Sequence, residues 1–572
     1  MLFTKGFFSL FLIFLLSFFA VKPLFHPDFF PMHDDTQVSR VYEMAQAISF
    51  GQFPVRLVSN LGYGYGYPLF NFYAPLPYYI GAIFNLVGFN VITATKIMFG
   101  IGILLSCVTM FFLVKELWDE YAGIISALLY MYAPYHAVNI YVRGAVGEFY
   151  AMGFLPLVLL GVITIVKSKS IKQGVLIGSA GFAGVLLSHN ILGMITAYFL
   201  VAGLIIYFLY LLIRKKRLLV ICYLLSFILL GLGLSAFFVI PALAEKGYTN
   251  VGSLTTGGSN FRQHFVYLDQ LWNSSWGFAG SAPGRADGMS FKIGKLHIYL
   301  GLLSVMAAFY LYKKKKMNKF LISIICSLLS VLIVSIFFML SQSQFFWQIL
   351  PGFPFIQYPW RFLALTILSL SVLPFSLFML IKKRYHLIAF IGVVILTIWL
   401  NSKYFEPREY TSAVADDYIS KANLRYKISK ISDEYLPKSF VIPQNYSEVS
   451  QQGITSTKDL LVTDTVENPT QKKYLLFALQ DTDVLTQIAY FPGWQAKLDG
   501  KKVEIKEFQG RIRVVIHKGS HDLIFEFKDT LSRSLSNAIS IFCLFLLVYV
   551  LLFWKGNYHG KKIFSRNSRA DL

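Results

Sequence analysis

The stretch that decides how this chain is organised begins with HDDTQVSRVYEMAQAISFG at residues 33–51 and continues with GYGYGYP at residues 62–68. It places two adjacent acids, several glycines and several tyrosines directly after a first hydrophobic segment. Acids are costly to hold at the edge of a bilayer, and those found there usually serve a function. The first loop is therefore where the sequence predicts an active site.

Composition assigns the 572-residue chain to the membrane proteins. It is 56% hydrophobic and 17% aromatic, far above a soluble globular domain. Apolar runs long enough to cross about 30 Å of hydrocarbon recur along it. We predict a polytopic α-helical membrane protein with about twelve transmembrane helices, near residues 6–22, 92–114, 121–138, 147–166, 173–188, 190–213, 218–241, 294–312, 319–341, 361–381, 386–402 and 534–554.

The net charge of +22 is accounted for by short basic loops between the apolar runs. Such loops stay in the cytoplasm and favour an anionic inner leaflet, so no nucleic-acid partner is expected. This pattern predicts a plasma-membrane protein with both termini cytoplasmic. The basic residues are Lys167, Lys169, Lys172, those at 214–217 and 313–316, Lys319, those at 382–384, and Lys555, Lys561 and Lys562 in the tail.

Residues 75–89 form one apolar segment that does not fit this alternation. If they crossed the membrane, every later basic loop would face outward. The segment is short, opens with Pro75 and Pro77, and ends near Gly88. We therefore predict an interfacial or re-entrant helix on the outer face.

The remaining polar sequence is predicted to face outward in loops 23–91, 242–293 and 342–360 and in a segment at 403–533. That segment alternates as a β domain does, with strands expected at 474–479, 484–490, 495–498, 503–508, 512–516 and 523–527 and a hairpin turn at Asp499-Gly500. We divide the chain into a transmembrane core (1–402), an extracytoplasmic β-sandwich-like domain (403–533), and a final helix with a basic cytoplasmic tail (534–572).

Several familiar catalytic motifs are absent from the sequence: the phosphate-binding GxxxxGK[ST], GxGxxG after a strand, HExxH and GxSxG. The cytoplasmic loops are too short for a nucleotide-binding domain. An enzyme of this kind would work outside, where nucleotide-activated sugars are not available.

Asp34 and Asp35 precede a stretch with helical i, i+3, i+4 spacing of apolar residues that runs to Gly51. One interpretation is that Asp34 only caps this helix, with Gln37 completing a capping box. The other is that a carboxylate kept ionised at a helix N-terminus serves as a general base. The two roles are compatible.

Other polar residues fall at predicted outer helix ends, where acids, bases and imidazoles together predict a site for a charged headgroup. Each also has a structural interpretation: a solvated turn for the histidine, an interfacial anchor for Trp360 and Arg361, and an aromatic belt for the tyrosines. Tyrosines can also stack on sugar rings. The residues are Tyr65, Tyr67, Arg143, Glu148, His189, Asn190, Trp360 and Arg361.

A set of short motifs, taken in order, resembles a bacterial family of large membrane proteins labelled 6-pyruvoyl-tetrahydropterin synthase-related. That family is close to the C-type polytopic glycosyltransferases that decorate cell-wall polymers. The sequence lacks the His-rich zinc site that a pterin synthase needs. The motifs are His33-Asp34, Gly64-Tyr-Gly-Tyr-Pro68, Tyr141-Val-Arg-Gly144 with Glu148, Ser188-His-Asn190, Pro359-Trp-Arg361, and Phe491-Pro-Gly-Trp494 with Asp499-Gly500.

The resemblance implies transfer of a sugar from a polyprenyl-phosphate donor to a cell-envelope polymer or glycolipid on the outer face, with inversion. It implies that Asp34 or Asp35 is the base, and that Arg143 or Arg361 contacts the lipid phosphate. Glu148 matches an acid that helps to hold a divalent metal, Mg²⁺ or Mn²⁺, in related enzymes. The remaining substrate-binding residues that it implies are His33, Tyr65, Tyr67, His189, Asn190 and Trp360.

Two other functions fit a protein of this class. A non-catalytic transporter or flippase of lipid-linked saccharides would carry charges buried mid-span and pseudo-repeated halves. A scaffold in cell-wall assembly would work through its outer domain, with the Asp34–Asp35 pair serving only as a cap.

Overall fold

The computed structural model describes residues 2–168, 170–216, 218–449, 453–456 and 460–553. The predicted basic residues Lys169 and Arg217 and the tail at 554–572 lie outside this range. The α-helices are α1 (Leu2–Leu16), α2 (Phe18–Val21), α3 (Gln37–Ser49), α4 (Leu69–Phe72), α5 (Leu76–Leu86), α6 (Val91–Leu117), α7 (Glu120–Met131), α8 (Pro134–Ala137), α9 (Val146–Val166), α10 (Ile171–Ser188), α11 (Asn190–Ile213), α12 (Leu219–Leu234), α13 (Ala236–Glu245), α14 (Leu268–Asn273), α15 (Lys295–Lys313), α16 (Lys319–Met339), α17 (Gln344–Ile349), α18 (Leu363–Val372), α19 (Phe375–Leu380), α20 (His386–Asn401), α21 (Asp416–Ile419) and α22 (Leu531–Phe553).

Long apolar helices form the body of the molecule. Within the described residues, nine helical segments are long and apolar enough to cross a membrane, and the bent pairs formed by α1 with α2 and by α12 with α13 bring the number to as many as eleven. The polytopic α-helical fold predicted from the sequence is therefore confirmed.

The predicted span at 121–138 differs from the structure. Its helix, α7, has 12 residues, which cover about 18 Å along the axis and do not cross a bilayer by themselves. Pro134 starts a separate short helix, and a π-helix follows at Val138–Val142. The proline interrupts the helical hydrogen bonding, so the apolar run continues while the helix does not.

Helix α9 lies at the centre of the bundle, packed against α6 on one side and α10 on the other. The approach of α9 to α10 depends on small residues. A Cβ added at Gly161 would lie only 2.4 Å from the Cα of Gly178. Glycines at such positions allow two membrane helices to pack backbone against backbone, and this fixes where the first turn of α9, which carries Glu148, lies relative to the end of α10.

The loops that the sequence predicts to face outward are in contact with one another at one end of the helices. The Tyr63 hydroxyl donates a hydrogen bond to Asp433 at 3.0 Å, and the Gln357 side-chain amide donates to the carbonyl of Leu254 at 3.2 Å. We call this end, formed by residues 23–91, 242–293, 342–360, 405–449, 453–456 and 460–530, the loop side.

The short basic loops meet at the opposite end. Lys167 Nζ lies 3.2 Å from Glu116 Oε1, and His386 Nδ1 lies 3.6 Å from Asp119 Oδ2. The separation of the two ends agrees with the alternation predicted from charge, and the direction in which each end faces in the cell stays a prediction.

Helix α5 lies on the loop side in the segment predicted to be interfacial or re-entrant. It has 11 residues, or about 16 Å of helix, which is too short to cross a bilayer.

Before the β domain, residues 405–449 run as short helical turns against the first loop. An isolated backbone bridge joins Phe29 to Thr411, and the Ser39 hydroxyl donates to the carbonyl of Tyr418 at 2.8 Å. This part of the segment predicted as β domain is therefore irregular and packs on the first loop.

The β domain is built from two antiparallel sheets with strand orders β1-β4-β8-β7 and β2-β3-β9-β5-β6. Asp499 and Gly500 form the predicted two-residue turn between β5 and β6, both with positive φ. The predicted strand at 503–508 is divided between β6 and β7, and β1 and β2 were not predicted. The strands are β1 (Ile454–Ser456), β2 (Leu460–Asn468), β3 (Gln471–Ala478), β4 (Thr482–Ala489), β5 (Trp494–Leu498), β6 (Lys501–Val503), β7 (Lys506–Phe508), β8 (Arg511–Ile516) and β9 (Gly519–Phe527).

Candidate active site

The segment that carries Asp34 is held by backbone hydrogen bonds to the segment that carries Arg143. The His33 amide donates to the carbonyl of Val142 at 3.0 Å, and the Asp34 amide donates to the carbonyl of Arg143 at 2.9 Å. Gly144 then turns the chain with a φ of 68°, and a Cβ there would lie 2.2 Å from the sulfur of the methionine that precedes His33. The turn therefore requires glycine.

The Asp34 carboxylate faces a cavity on the loop side. Its Oδ1 lies 2.9 Å from His33 Nδ1, and the Asp34 side chain is 46% exposed. Desolvation by the surrounding protein would raise the pKa of Asp34, but the hydrogen bond from His33 and the charges of Arg143 and Arg40 lower it below its usual value. The carboxylate is therefore ionised at neutral pH.

Asp34 does not cap the helix that follows. Helix α3 begins at Gln37 with Thr36 at its N-cap. Among the described residues, no side-chain hydrogen bond caps this helix N-terminus. Gln37 instead donates its side-chain amide to the backbone carbonyl of Asp34 at 3.1 Å. The carboxylate is thus free of the structural role that the sequence left open for it.

Asp35 is in a different environment from its neighbour. Its Oδ1 is buried and has no hydrogen-bond partner within the part of the chain that the structure describes. Burial raises the pKa of Asp35 to about 6, although the charge of Lys427 opposes the shift. Asp35 does not line the cavity that Asp34 faces.

Behind the cavity, Glu148 joins two arginines and a tyrosine in one buried cluster. Its Oε2 accepts a hydrogen bond from Arg143 Nη1 at 2.9 Å and lies 3.7 Å from Arg361 Nε. Its Oε1 accepts a hydrogen bond from the Tyr135 hydroxyl. Arg143 also donates to the side chain of Asn139. Both oxygens of Glu148 are therefore engaged, and one carboxylate balances two guanidinium groups.

Trp360 forms a wall beside this cluster. The guanidinium of Arg143 lies 4.4 Å from the centre of the Trp360 ring, and Tyr358 stacks on the same ring at 5.0 Å. Arg361 donates from Nη1 to the carbonyl of Ile356 and to Gln357 Oε1, at 2.6 and 2.9 Å. Arg361 lines the cavity, while Trp360 supports it from behind.

His189 and Asn190 occupy the tight turn between α10 and α11, and both line the cavity. His189 Nδ1 accepts a hydrogen bond from the Leu192 amide at 3.1 Å and so caps α11. Burial lowers the pKa of His189 to about 3, so its ring is neutral. Asn190 donates to the carbonyl of Phe72 at 2.7 Å.

The cavity has a volume of about 700 Å³ and walls of mixed character. Polar side chains reach it from the loops and helix ends, and apolar side chains reach it from four consecutive helices. The polar lining comprises Asp34, Thr36, Arg40, Ser188, His189, Asn190, Lys246, Gln357, Arg361, Ser432 and Glu434; apolar lining from α10 to α13 includes Phe182, Leu186, Met194, Leu232, Phe238, Val239 and Leu243.

Tyr65 and Tyr67 do not line this cavity. Both are buried. Tyr65 lies beneath the guanidinium of Arg511, 5.0 Å away, and the Tyr67 hydroxyl accepts a hydrogen bond from the Tyr435 amide at 3.2 Å. Their rings pack between the first loop and the later part of the chain.

The donor set around Glu148 does not fit a divalent cation. Both carboxylate oxygens already accept hydrogen bonds, and two guanidinium groups stand within ion-pair distance. Metal ions of this kind need several oxygen ligands and a negative surround. Among the described residues, no group of three or more His, Cys, Asp or Glu side chains could hold a metal ion.

Sequence reasoning missed several residues that line the cavity. Arg40 lies one helical turn after Thr36 and is buried in α3. An arginine next to the apolar positions of an amphipathic helix is a sequence signal that could have indicated it. Lys246 begins a three-residue 3₁₀ helix after α13, and Ser432 and Glu434 belong to an irregular segment. Neither stretch has a periodicity that indicates which side chains face inward.

Comparison with known proteins places this chain in a family. A family model described as 6-pyruvoyl-tetrahydropterin synthase related domain, membrane protein, matches residues 70–405. An uncharacterized protein of Lactococcus lactis subsp. cremoris (strain MG1363) is 24% identical over 283 residues, which are 47% of this chain and 45% of the relative. The alignment thus spans less than half of each protein.

Two solved structures resemble the fold at a low level. The apo oligosaccharyltransferase of Archaeoglobus fulgidus has a TM-score of 0.42 at 13% identity, covering 70% of this chain and 56% of that one. The arabinofuranosyltransferase AftD from Mycobacteria has a TM-score of 0.41 at 15% identity, covering 71% of this chain and 27% of that one. Scores this low carry no argument about activity. The match of the family model to more than half of the chain establishes that it belongs to the 6-pyruvoyl-tetrahydropterin synthase related family of membrane proteins.

Proposed function

We propose that this protein is a membrane glycosyltransferase that moves a sugar from a polyprenyl-phosphate carrier to a cell-envelope polymer or glycolipid on the outer face of the plasma membrane. The observation that carries the proposal is that Asp34 and Arg361 line one cavity that also has an apolar wall formed by helices α10 to α13. An ionised carboxylate can serve as the base, a guanidinium can bind the phosphate, and an apolar wall can accommodate the lipid tail.

The apolar part of the cavity suits a lipid. Phe182 lies six residues before the end of α10, and its side chain therefore contacts the cavity about 9 Å deeper along the helix axis than Ser188. A polyprenyl chain that entered between these helices would place its phosphate near the loop side, where the polar residues are.

Arg361 is suited to bind the phosphate. It is 8% exposed, and its Nε has no hydrogen-bond partner among the residues that the structure describes. A planar guanidinium in a desolvated site can donate two parallel hydrogen bonds to a phosphate. Arg40 and Lys246 add positive charge to the same cavity.

Asp34 is the proposed base. It would accept the proton of an acceptor hydroxyl while the hydroxyl oxygen bonds to the anomeric carbon of the donor sugar. The bond between that carbon and the phosphate oxygen breaks, and the polyprenyl phosphate leaves with the electron pair near Arg361. A single displacement of this kind inverts the anomeric configuration. No step is assigned to a metal ion, since the residues around Glu148 do not fit one.

Glu148 and Arg143 serve to position the residues of this site. Glu148 balances the charges of Arg143 and Arg361, and the backbone of Arg143 binds that of Asp34. The cluster therefore fixes the proposed base and the proposed phosphate ligand relative to each other. We propose that the β domain presents or binds the acceptor.

The proposal is tested by binding of undecaprenyl phosphate to the purified protein in nanodiscs. Arg361→Lys keeps the charge but loses the planar donor fork, so we expect affinity to fall about tenfold or more. Arg384→Lys is the matched control, because Arg384 is exposed on the basic side, and it should bind as the wild type does. Undiminished binding by both Arg361→Lys and Arg361→Ala would contradict the assignment.

A further inference from the structure

The Gly-Tyr run at residues 62–68 does not contact the cavity, but it holds the residues that do. The Tyr63 amide donates to the Ser429 hydroxyl at 3.1 Å, and the Tyr63 hydroxyl donates to Asp433 at 3.0 Å. The Tyr67 hydroxyl accepts from the Tyr435 amide at 3.2 Å. This run therefore fixes both ends of the segment 429–435 from the first loop.

Four residues of the segment so fixed line the cavity: Ile431, Ser432, Glu434 and Tyr435. The Ser432 hydroxyl donates to Glu434 Oε1 at 3.2 Å. Tyr435 is stacked on Phe72 at 5.2 Å between ring centres, so its position is rigid. Glu434 is half-buried and lines the same cavity as Asp34.

Arg40 reaches the same part of the cavity from α3. Its guanidinium lies 4.2 Å from the centre of the Tyr73 ring, and Arg40 is 5% exposed. Burial lowers the pKa of Arg40, but Tyr73, Tyr78 and Glu434 together raise it above its usual value. Glu434 and Arg40 are thus close enough for their charges to interact.

A buried guanidinium next to a carboxylate often has only a structural role, as an ion pair. Here, however, Arg40, Glu434 and Ser432 all face the same cavity, beside tyrosine rings. Two carboxylates, Asp34 and Glu434, make this part unfavourable for a second phosphate. A neutral ring that carries several hydroxyl groups matches the mixture of donors, acceptors and aromatic faces.

We propose that Arg40, Ser432 and Glu434 form the subsite that binds the sugar of the lipid-linked donor, with the Gly-Tyr run at 62–68 as its positioning platform. The inference rests on the proposed function, because it takes the phosphate end of the same molecule to lie at Arg361. We favour the sugar of the donor over an acceptor sugar as the occupant, because the polar and apolar linings belong to one continuous cavity.

The test compares bare undecaprenyl phosphate with undecaprenyl phosphates that carry glucose, galactose or N-acetylglucosamine, as ligands of the protein in nanodiscs. We expect the wild type to bind at least one glycosylated lipid about tenfold more tightly than the bare lipid, a gain equal to roughly one hydrogen bond to a charged group. Glu434→Gln should reduce that preference to less than about threefold without weakening the binding of the bare lipid. The matched control is Glu409→Gln, because Glu409 is an exposed acid of the same irregular segment.

Retained binding of the bare lipid shows that a variant is folded. If Glu434→Gln does not fold, Ser432→Ala is the second variant, with the same expected loss of preference. Tyr67→Phe removes the hydrogen bond to Tyr435 and should lower the preference with no effect on the bare lipid. The proposal is overturned if no glycosylated lipid is preferred, or if Glu434→Gln and Ser432→Ala keep the wild-type preference. Failure of the proposed function would instead appear as a wild-type protein that does not bind bare undecaprenyl phosphate.

Discussion

The backbone amide of Asp34 donates a hydrogen bond to the carbonyl oxygen of Arg143 across 2.9 Å. This bond joins the first loop to the turn before α9, where Glu148 holds Arg143 and Arg361. The proposed base and the proposed phosphate ligand come from distant parts of the sequence, and this cluster places them at one cavity. A change at Glu148 should therefore affect both.

Glu148→Gln tests the cluster as a unit. The substitution keeps the size of the side chain but removes the negative charge that the two arginines share. Loss of one member of a buried ion pair typically costs about 3 to 5 kcal/mol, so we expect a clearly lower midpoint of thermal unfolding in detergent.

The matched control for this variant is Glu116→Gln. The Glu116 carboxylate is 25% exposed and pairs with Lys167 on the basic side. A partly solvated pair of this kind contributes about 1 kcal/mol or less. Equal unfolding midpoints for the two variants would mean that Glu148 does not organise the site.

The pH dependence of turnover distinguishes Asp34 from Asp35 as the base. A base must be deprotonated, and Asp34, whose pKa is lowered, stays ionised as the pH falls from about 8 to about 5. Asp35, with a pKa of about 6, takes up a proton within that range. The Asp34 assignment predicts that Asp35→Asn keeps most of the turnover, with no loss of activity centred near pH 6.

The measurement is the rate of polyprenyl-phosphate release between about pH 5 and pH 8. His33 stays protonated through the lower part of this range, because its hydrogen bond to Asp34 raises the pKa of the ring. If turnover of the wild type falls about tenfold per pH unit below 6 and Asp35→Asn is inactive, Asp35 is the base instead.

Cysteine labelling of intact cells tests which end of the helices faces outward. In a cysteine-free background, we expect a membrane-impermeant reagent to modify Val87→Cys in the segment at 75–89 and Gln509→Cys in the β domain. Lys315→Cys, in the basic turn between α15 and α16, should be modified only after the membrane is opened. External labelling of Lys315→Cys would invert the topology and place the cavity on the cytoplasmic side.

Most of the fold could be predicted from the sequence, because apolar runs and charge alternation reflect the bilayer directly. The apolar run at 121–138 was wrongly predicted to be one transmembrane helix, because hydropathy alone does not show that α7 ends before Pro134. Strand β2 was missed because Leu460 to Asn468 does not alternate clearly between apolar and polar residues. The turn at Asp499-Gly500 was predicted because its residue types are tied to a specific backbone geometry.

The candidate site was predicted in part. Four of the predicted residues line the cavity: Asp34, His189, Asn190 and Arg361. Polar residues at helix ends on the loop side are excluded from the apolar interior of the bilayer, so the sequence could indicate them. Tyr65 was expected to form a wall of the site, yet it is packed beneath Arg511. Its ring contacts Phe440 and Arg511, which lie far later in the chain, and no local pattern can reveal such contacts.

The residues at 432–435 could not be found from the sequence. They lie in an irregular segment without a helical or strand period. The segment is held by a hydrogen bond from the Tyr63 hydroxyl to Asp433 and by one from the Tyr435 amide to the Tyr67 hydroxyl. The sequence predicts that the Gly-Tyr run is an aromatic belt or stacks on sugar rings, whereas in the structure Tyr63 and Tyr67 contact the segment 429–435.

The central claim is that Asp34 is the base of a transfer from a polyprenyl-phosphate sugar. It is tested most directly by mass spectrometry of the polyprenyl-phosphate lipids and the envelope glycans from cells that carry Asp34→Asn. Loss of a general base typically lowers the rate about 10² to 10⁴-fold. We expect one glycosylated polyprenyl phosphate to accumulate and one envelope sugar to disappear, with the variant protein present at the wild-type level. If lipids and glycans match the wild type in Asp34→Asn and in the double variant with Asp35→Asn, the enzyme assignment is contradicted, and a lipid transporter or a scaffold takes its place.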